Sequence, residues 1–189
     1  VIVEVLPRHS VAVLTGPNLA HEILAGQPAA TVVACADDEV AKQIQVLLTR
    51  PTLRVYTNPD VLGCEIGGVV KNVIAIASGI VEGMGFGDNS KATLITRGLA
   101  EMSRLGVVLG ANPSTFTGLA GIGDVIATCA SAQSRNNAVG VRLGRGESID
   151  SITGSMKMVA EGVKSSLSVS QLAQRYKVDM PITQQVAAV

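Results

Sequence analysis

A lysine and an asparagine stand inside an otherwise apolar run, Gly67-Gly68-Val69-Val70-Lys71-Asn72-Val73-Ile74-Ala75-Ile76-Ala77. The run reads as a buried helix, and burying an ammonium group is costly unless a partner compensates it. A lysine in such surroundings is a candidate for donating or accepting a proton near neutral pH. Gly67 lies one helical turn before Lys71 on the same face, which lets another group approach the helix backbone there. The plainer reading is a lysine that snorkels out of a half-buried helix, its stem on apolar neighbours and its head in water.

Two further clusters hold polar groups at useful spacings. Thr117-Gly118-Leu119-Ala120-Gly121-Ile122-Gly123-Asp124 favours a tight turn and places Asp124 at a helix start. An aspartate there caps the helix, at about 0.5–2 kcal/mol. The alternative is a carboxylate that faces Lys71 and sets its protonation, or that binds a substrate hydroxyl. Ser131-Ala132-Gln133-Ser134-Arg135-Asn136-Asn137 is a run of donors opening a helix. Unpaired N–H groups and the helix dipole both favour an anion at such a place, and Arg135 adds a bidentate fork. A solvated cap with a surface arginine competes with that reading. Gly16-Pro17-Asn18-Leu19-Ala20 and Val159-Ala160-Glu161-Gly162 each read equally well as a turn plus a helix cap.

A dinucleotide loop is absent from these residues. Gly83-Met84-Gly85-Phe86-Gly87 has Asp88 where GxGxxG needs its last glycine, Gly118–Gly123 runs in the reverse order, and Gly144-Arg145-Gly146 has Ile149 at the last position. Without a Gly-Lys dipeptide there is no P-loop either.

The elements that must position these residues fall into two parts. Ser10–Thr15, Ala30–Cys35 and Leu53–Thr57 are β-branched runs, separated by helical segments at Asn18–Leu24 and from Asp37-Asp38 to about Leu48. That order is part of an α/β sheet. After Pro59 the pattern is helical almost throughout: Val61–Met84, Asn89–Leu109, Pro113–Gly118, Gly123–Ala132, Asn136–Leu143, Ile149–Ile152, Glu161–Tyr176 and Pro181–Val189. The fold class expected is therefore α/β followed by mostly α, divided near residue 60 into segments 1–60 and 61–189. The acidic run Asp37-Asp38-Glu39 suits the positive end of a helix dipole and faces solvent.

Composition narrows the function classes. Fifteen Lys plus Arg balance fifteen Asp plus Glu in 189 residues, so no general attraction to nucleic acid or an anionic membrane is expected. Two Phe, two Tyr and no Trp leave an aliphatic core and almost no platform for stacking bases. Cys35, Cys64 and Cys129 are an odd count without CxxC spacing, which argues against a disulfide framework and suits a cytoplasmic compartment. With only His9 and His21 beside them, no metal site is expected. The apolar segment from Val69 to Val81 is too short to span a bilayer, and no signal peptide opens the chain. Its start, Val1-Ile2-Val3-Glu4-Val5-Leu6, reads as the middle of something already folded, so a portion of a longer protein is expected.

Taken in order, GPNLA at 16–20, EIGGVVKNVIAIASGI at 65–80, GMGFGDNSKATLITRGLAEMSRLG at 83–106, TFTGLAGIGDVIATCASAQSRN at 115–136, VAEGV at 159–163 and MPIT at 180–183 resemble the bacterial NAD(P)-dependent sn-glycerol-3-phosphate dehydrogenases. The resemblance covers essentially the whole chain. It implies the later part of a Rossmann-type NAD-binding domain followed by an all-helical substrate domain like the C-terminal half of 6-phosphogluconate dehydrogenase. It also implies interconversion of dihydroxyacetone phosphate and glycerol 3-phosphate with NAD or NADP, supplying phospholipid synthesis. Lys71 then matches the catalytic proton donor and acceptor, and Asp124 a substrate-contacting aspartate beside it. Ser134, Arg135 and Asn136 match a trio at the substrate, and Arg135 also reaches the cofactor. Gly16 and Asn18 match a strand-end motif at the substrate, with Asn where the family often has Ser or Thr. Ala20, Val159 and Glu161 match cofactor contacts.

The family's Gly-rich fingerprint and a further substrate-binding lysine are missing, so this chain alone is expected to bind cofactor poorly and turn over little. The apolar helical half suits a homodimer. Two other readings stay in view. A different hydroxyacid or phosphogluconate-type dehydrogenase is disfavoured by GLAGIGD followed by SRN, and a non-catalytic helical interaction module would have no use for Lys71.

Overall fold

The computed structural model describes residues 2–156 and 160–189. After a short helix α1 (Ile2–Val5), three strands form one sheet in the order β1 (Ala12–Thr15), β2 (Ala29–Cys35), β3 (Leu53–Asn58). β1 runs antiparallel to β2, with Thr15 opposite Val32, and β2 runs parallel to β3, with Val33 opposite Thr57. The parallel pair needs a crossover. Helix α3 (Asp38–Leu48) supplies it, capped by Asp37, whose carboxylate accepts the N–H groups of Glu39 and Val40. Asp37, Asp38 and Glu39 are exposed, as the sequence led us to expect. β2 is buried continuously from Thr31 to Cys35, so both faces of the sheet are covered there. Helix α2 (Ala20–Leu24) is shorter than the sequence pattern implied, because Gly16 turns the chain at φ +114 and the Asn18 amide goes to the Thr31 hydroxyl.

Helix α4 (Val61–Gly83) is the axis of the remainder. Asp60 caps it by accepting the Gly63 N–H at 2.9 Å, and every residue from Asn72 to Gly79 is buried. Its 23 residues are long and apolar enough to cross a membrane, which corrects the shorter Val69–Val81 estimate. In this fold 67% of that apolar window is buried inside the protein, as the central helix of a bundle would be. Around it stand α5 (Asp88–Val108), α6 (Pro113–Phe116), α7 (Asp124–Ala130), α8 (Arg135–Gly144), α9 (Ile149–Ser155), α10 (Glu161–Arg175) and α11 (Pro181–Ala187). The main core joins Ile66, Val70 and Ile74 of α4 to Met102, Leu105, Phe116 and Met180.

The closest helix pair is built on glycine. A Cβ on Gly79 would strike the Asn137 carbonyl oxygen, and one on Gly83 the Val141 carbonyl oxygen. Reciprocally, a Cβ on Gly140 would strike the Ile76 carbonyl oxygen and one on Gly144 that of Ile80. With Asn72 bonded to Asn136, the two helices lie side by side in the same direction, each turn of α8 level with a turn of α4. The first turn of α8 is thereby set opposite Lys71 and Asn72. Neither Gly-xxx-Gly pair was read as a signal in the sequence.

A buried carboxylate fixes the last helix. Glu101 of α5, 2% exposed, accepts the N–H of Ile182 at 2.7 Å, the N–H of Thr183 at 3.1 Å and the Thr183 hydroxyl at 3.0 Å. It serves as the N-terminal cap of α11 from a different helix.

These contacts predict two stability effects, both measurable by urea unfolding. Gly140→Ala should cost about 1–3 kcal/mol through overpacking against Ile76, whereas Gly154→Ala, inside α9 with nothing within 4 Å of the new methyl, should stabilise by about 0.5–1 kcal/mol. Glu101→Gln turns an NH2 group toward backbone donors and should cost about 1–3 kcal/mol.

Candidate functional site

Lys71 leaves α4 with its side chain 20% exposed, and its Nζ lies 2.5 Å from Oδ2 of Asp124, whose side chain is 3% exposed. The same Oδ2 accepts the Gly16 N–H at 3.3 Å. The Thr128 hydroxyl, one turn further along α7, lies 3.3 Å from Oδ1 and donates to the Asp124 carbonyl at 2.6 Å. Burial, the largest influence, pushes the Asp124 carboxyl above its ordinary range; the Lys71 ammonium and the hydrogen bonds pull it back. The snorkelling reading of Lys71 is replaced by an ion pair at the wall of a cleft.

Asp124 does not cap its helix. Residues Leu119–Gly123 form one turn of π-helix that runs straight into α7, so Gly123 is already helical and Asp124 is free to face α4. The glycine-rich run expected to be a tight turn is this π-turn. Its Ala120 carbonyl oxygen rests on α4 where a Cβ of Gly67 would be, which realises the close approach anticipated at that glycine. The contact brings the start of α7 close enough for a short aspartate to reach Lys71.

Helix α8 begins at Arg135, with Ser134 as N-cap accepting the Asn137 N–H at 3.2 Å. The Asn137 amide donates to the Cys129 carbonyl at 3.3 Å and ties this end to α7. Asn136 turns inward. Its Nδ2 donates to Asn72 Oδ1 at 2.9 Å, and its Oδ1 accepts the Gly162 N–H at 2.9 Å. Arg135 turns outward, and its guanidinium lies 3.9 Å from the Glu161 carboxylate, both side chains exposed.

These groups line one cleft of about 760 Å³ between the end of β1 and helices α4, α8 and α10. Of the residues singled out from the sequence, Asn18, Lys71, Ser134, Arg135, Asn136 and Glu161 line it. Asp124 and Gly16 stand directly behind Lys71. Gly16 needs its glycine: at φ +114 its N–H turns toward Asp124. Ala20 is exposed at the start of α2 and does not line the cleft, although its neighbour Leu19 does. Val159 lies outside the described residues. Sequence reasoning passed over Thr128 and Glu65, which also line the cleft, and gave Asn72 no role. Thr128 had a readable signal, four residues after Asp124 and so on its face of the helix.

The site pairs an ammonium and a carboxylate at a wall of the cleft, with a guanidinium and a helix N-terminus alongside. It can exchange a proton at Lys71 Nζ and hold an anion near Arg135. Among the described residues no three His, Cys, Asp or Glu side chains gather to hold a metal ion.

A family model described as NAD-dependent glycerol-3-phosphate dehydrogenase C-terminus matches residues 60–189, and one described as the N-terminus of the same enzyme matches residues 1–41. Glycerol-3-phosphate dehydrogenase (NAD(P)+) 2 of Sphingopyxis alaskensis is 58% identical over 185 residues, covering 98% of this chain and 56% of that protein. The Streptomyces coelicolor enzyme is 58% identical over 179 residues, covering 95% and 53%. The crystal structure of glycerol-3-phosphate dehydrogenase from Coxiella burnetii superimposes with a TM-score of 0.95 at 40% identity, over 98% of this chain and 57% of that one. The chain thus spans about half the length of the curated relatives it matches. With the C-terminal model alone covering more than half of its residues, the chain belongs to the NAD-dependent glycerol-3-phosphate dehydrogenase family.

Proposed function

We propose that this chain forms the substrate-binding half of an oxidoreductase that interconverts sn-glycerol 3-phosphate and dihydroxyacetone phosphate with NAD or NADP. The observation that carries this reading is the buried Asp124 carboxylate 2.5 Å from Lys71, in one cleft with Arg135 and the N-terminus of α8. In reduction, the Lys71 ammonium gives its proton to the carbonyl oxygen as negative charge develops there; in oxidation, its amine takes the proton of the hydroxyl. Asp124 holds Nζ in place and balances its charge. Ser134, Arg135 and Asn136 take the phosphate, Arg135 through its fork and Asn136 through its backbone N–H. Gly16 and Asn18 close the substrate end of β1.

The nicotinamide, when bound, supplies the hydride. The donor chemistry fits such a group: Arg135 and Glu161 offer charge and hydrogen bonds, while Leu14, Leu62 and Val69 give an apolar wall for a flat ring. Ala20 and Val159 complete the cofactor contacts in this reading. It divides the chain near residue 60 into a dinucleotide-domain segment and a substrate segment, assembles the protein as a homodimer, and places it in the cytoplasm, supplying phospholipid synthesis. Three free, buried cysteines support the compartment, two of them, Cys64 and Cys129, pushed by burial up to about 11.

Two variants of the intact enzyme test the roles. Lys71→Ala should lower kcat by about 10²–10⁴ with the fold kept by circular dichroism, and turnover like that of the unaltered enzyme would refute the assignment. Arg135→Ala should raise KM for dihydroxyacetone phosphate roughly ten- to a hundredfold, the loss of a charged hydrogen bond of about 1.5–3 kcal/mol.

A further inference from the structure

Besides Glu65, three charged residues line the cleft from three helices: Lys71 from α4, Arg135 from α8 and Glu161 from α10. The residue that follows each of them is buried, and the three are joined by hydrogen bonds. Gly162 N–H donates to Asn136 Oδ1 at 2.9 Å, Asn136 Nδ2 donates to Asn72 Oδ1 at 2.9 Å, and Asn72 Nδ2 donates to the Gly68 carbonyl at 3.2 Å.

The relay has one direction. A backbone N–H only donates, so Asn136 must turn its oxygen to α10 and its NH2 to α4. That NH2 needs an acceptor, so Asn72 presents its oxygen. Its own NH2 is left for the Gly68 carbonyl, which only accepts. An N–H at one end and a carbonyl at the other lock both amides. At 7% and 8% exposure both residues are buried, so exchanging these partners for water is disfavoured. The start of α10 is also pressed onto the pair, since a Cβ on Gly162 would come 2.8 Å from Asn136 Oδ1 and 2.9 Å from the Asn72 carbonyl oxygen.

We propose that the Asn72–Asn136–Gly162 relay sets the spacing of Lys71, Arg135 and Glu161, and that the side chains of Asn72 and Asn136 are positioning groups that act through these neighbours. The proposal rests on the reading of Lys71 as proton donor and Arg135 as phosphate ligand. The carbonyl and the phosphate belong to one small, short molecule, so the two groups that meet them must stand at one separation. A displacement of about 1 Å at such a site costs roughly 10²-fold.

In the intact enzyme, Asn72→Ala and Asn136→Ala should each raise KM for dihydroxyacetone phosphate and lower kcat/KM about 10²-fold. The double variant should be no worse than the worse single, because both remove the same bond. A structural role alone would leave KM unchanged and lower kcat with the folded fraction. Folded variants with unchanged KM, losses that multiply in the double variant, or a KM rise confined to Asn136→Ala overturn the relay. If the alanine variants do not fold, Asn136→Asp keeps the shape but sets an oxygen against Asn72 Oδ1; it should show the same KM rise, and an unchanged KM overturns the proposal. Lys71→Ala separates the two levels. If that variant is inactive, failure of the relay leaves the site assignment standing; if it turns over normally, the assignment falls as well.

Discussion

A largely buried helix can keep an ammonium and an amide only where each finds a partner, and the arrangement around α4 follows from that constraint. Lys71 has no carboxylate on its own face of α4, so one must come from elsewhere in the chain. Asp124 is a short side chain and reaches Nζ only because the Ala120 carbonyl rests directly on Gly67. Asn72 likewise needs a neighbour with complementary groups. Asn136 serves because Gly140 and Gly144 let α8 lie on α4 with backbones touching. The glycines and the polar residues of α4 therefore answer the same requirement. Removing a glycine would deny a polar group its partner.

Two buried carboxylates in this fold show what separates a structural acid from a chemical one. Glu101 receives two backbone N–H groups and a hydroxyl at the positive end of α11, and none of its partners can be traded for a substrate. Asp124 has one long backbone contact and commits its best geometry to an ammonium that borders the cleft. Burial raises its carboxyl, and the charge of Lys71 counters that rise. A buried ion pair of this kind adds little to stability, because desolvation consumes most of the Coulombic gain. In the function proposed above, its place beside an open cleft is explained by the proton that Lys71 moves.

The strands, α4, α5 and the acidic cap of α3 were legible in the sequence because each has a repeating pattern or a local cap. Lys71 was legible as an anomaly, a charge where periodicity predicts burial. Asp124 was legible only as one of two readings, since the composition that makes a cap after a glycine-rich turn is the same one that makes a π-turn running into a helix. Only the fold shows that Gly123 is already helical. The glycine pairs of α4 and α8 escaped notice because a Gly-xxx-Gly spacing acquires meaning only once its partner helix is known. Ala20 was carried by resemblance alone, and the fold leaves it exposed at the start of a short helix, next to Leu19 of the cleft wall.

Gly16 links the two parts of the chain at the level of single atoms. Its N–H, turned by a left-handed φ that a side chain rarely adopts, meets the same Asp124 oxygen that holds Lys71. The end of β1 and the helix that bears the lysine thus share one acceptor, although the residues lie 108 and 53 positions from it in the chain. An oxygen with two donors is over-determined in position. A shift of the sheet against the helices would have to break the Gly16 contact or drag the carboxylate from the ammonium, and the second costs far more in a desolvated setting. The weaker bond, at 3.3 Å, is therefore the one that yields. The sheet segment is thus held to Asp124 less tightly than Lys71 is.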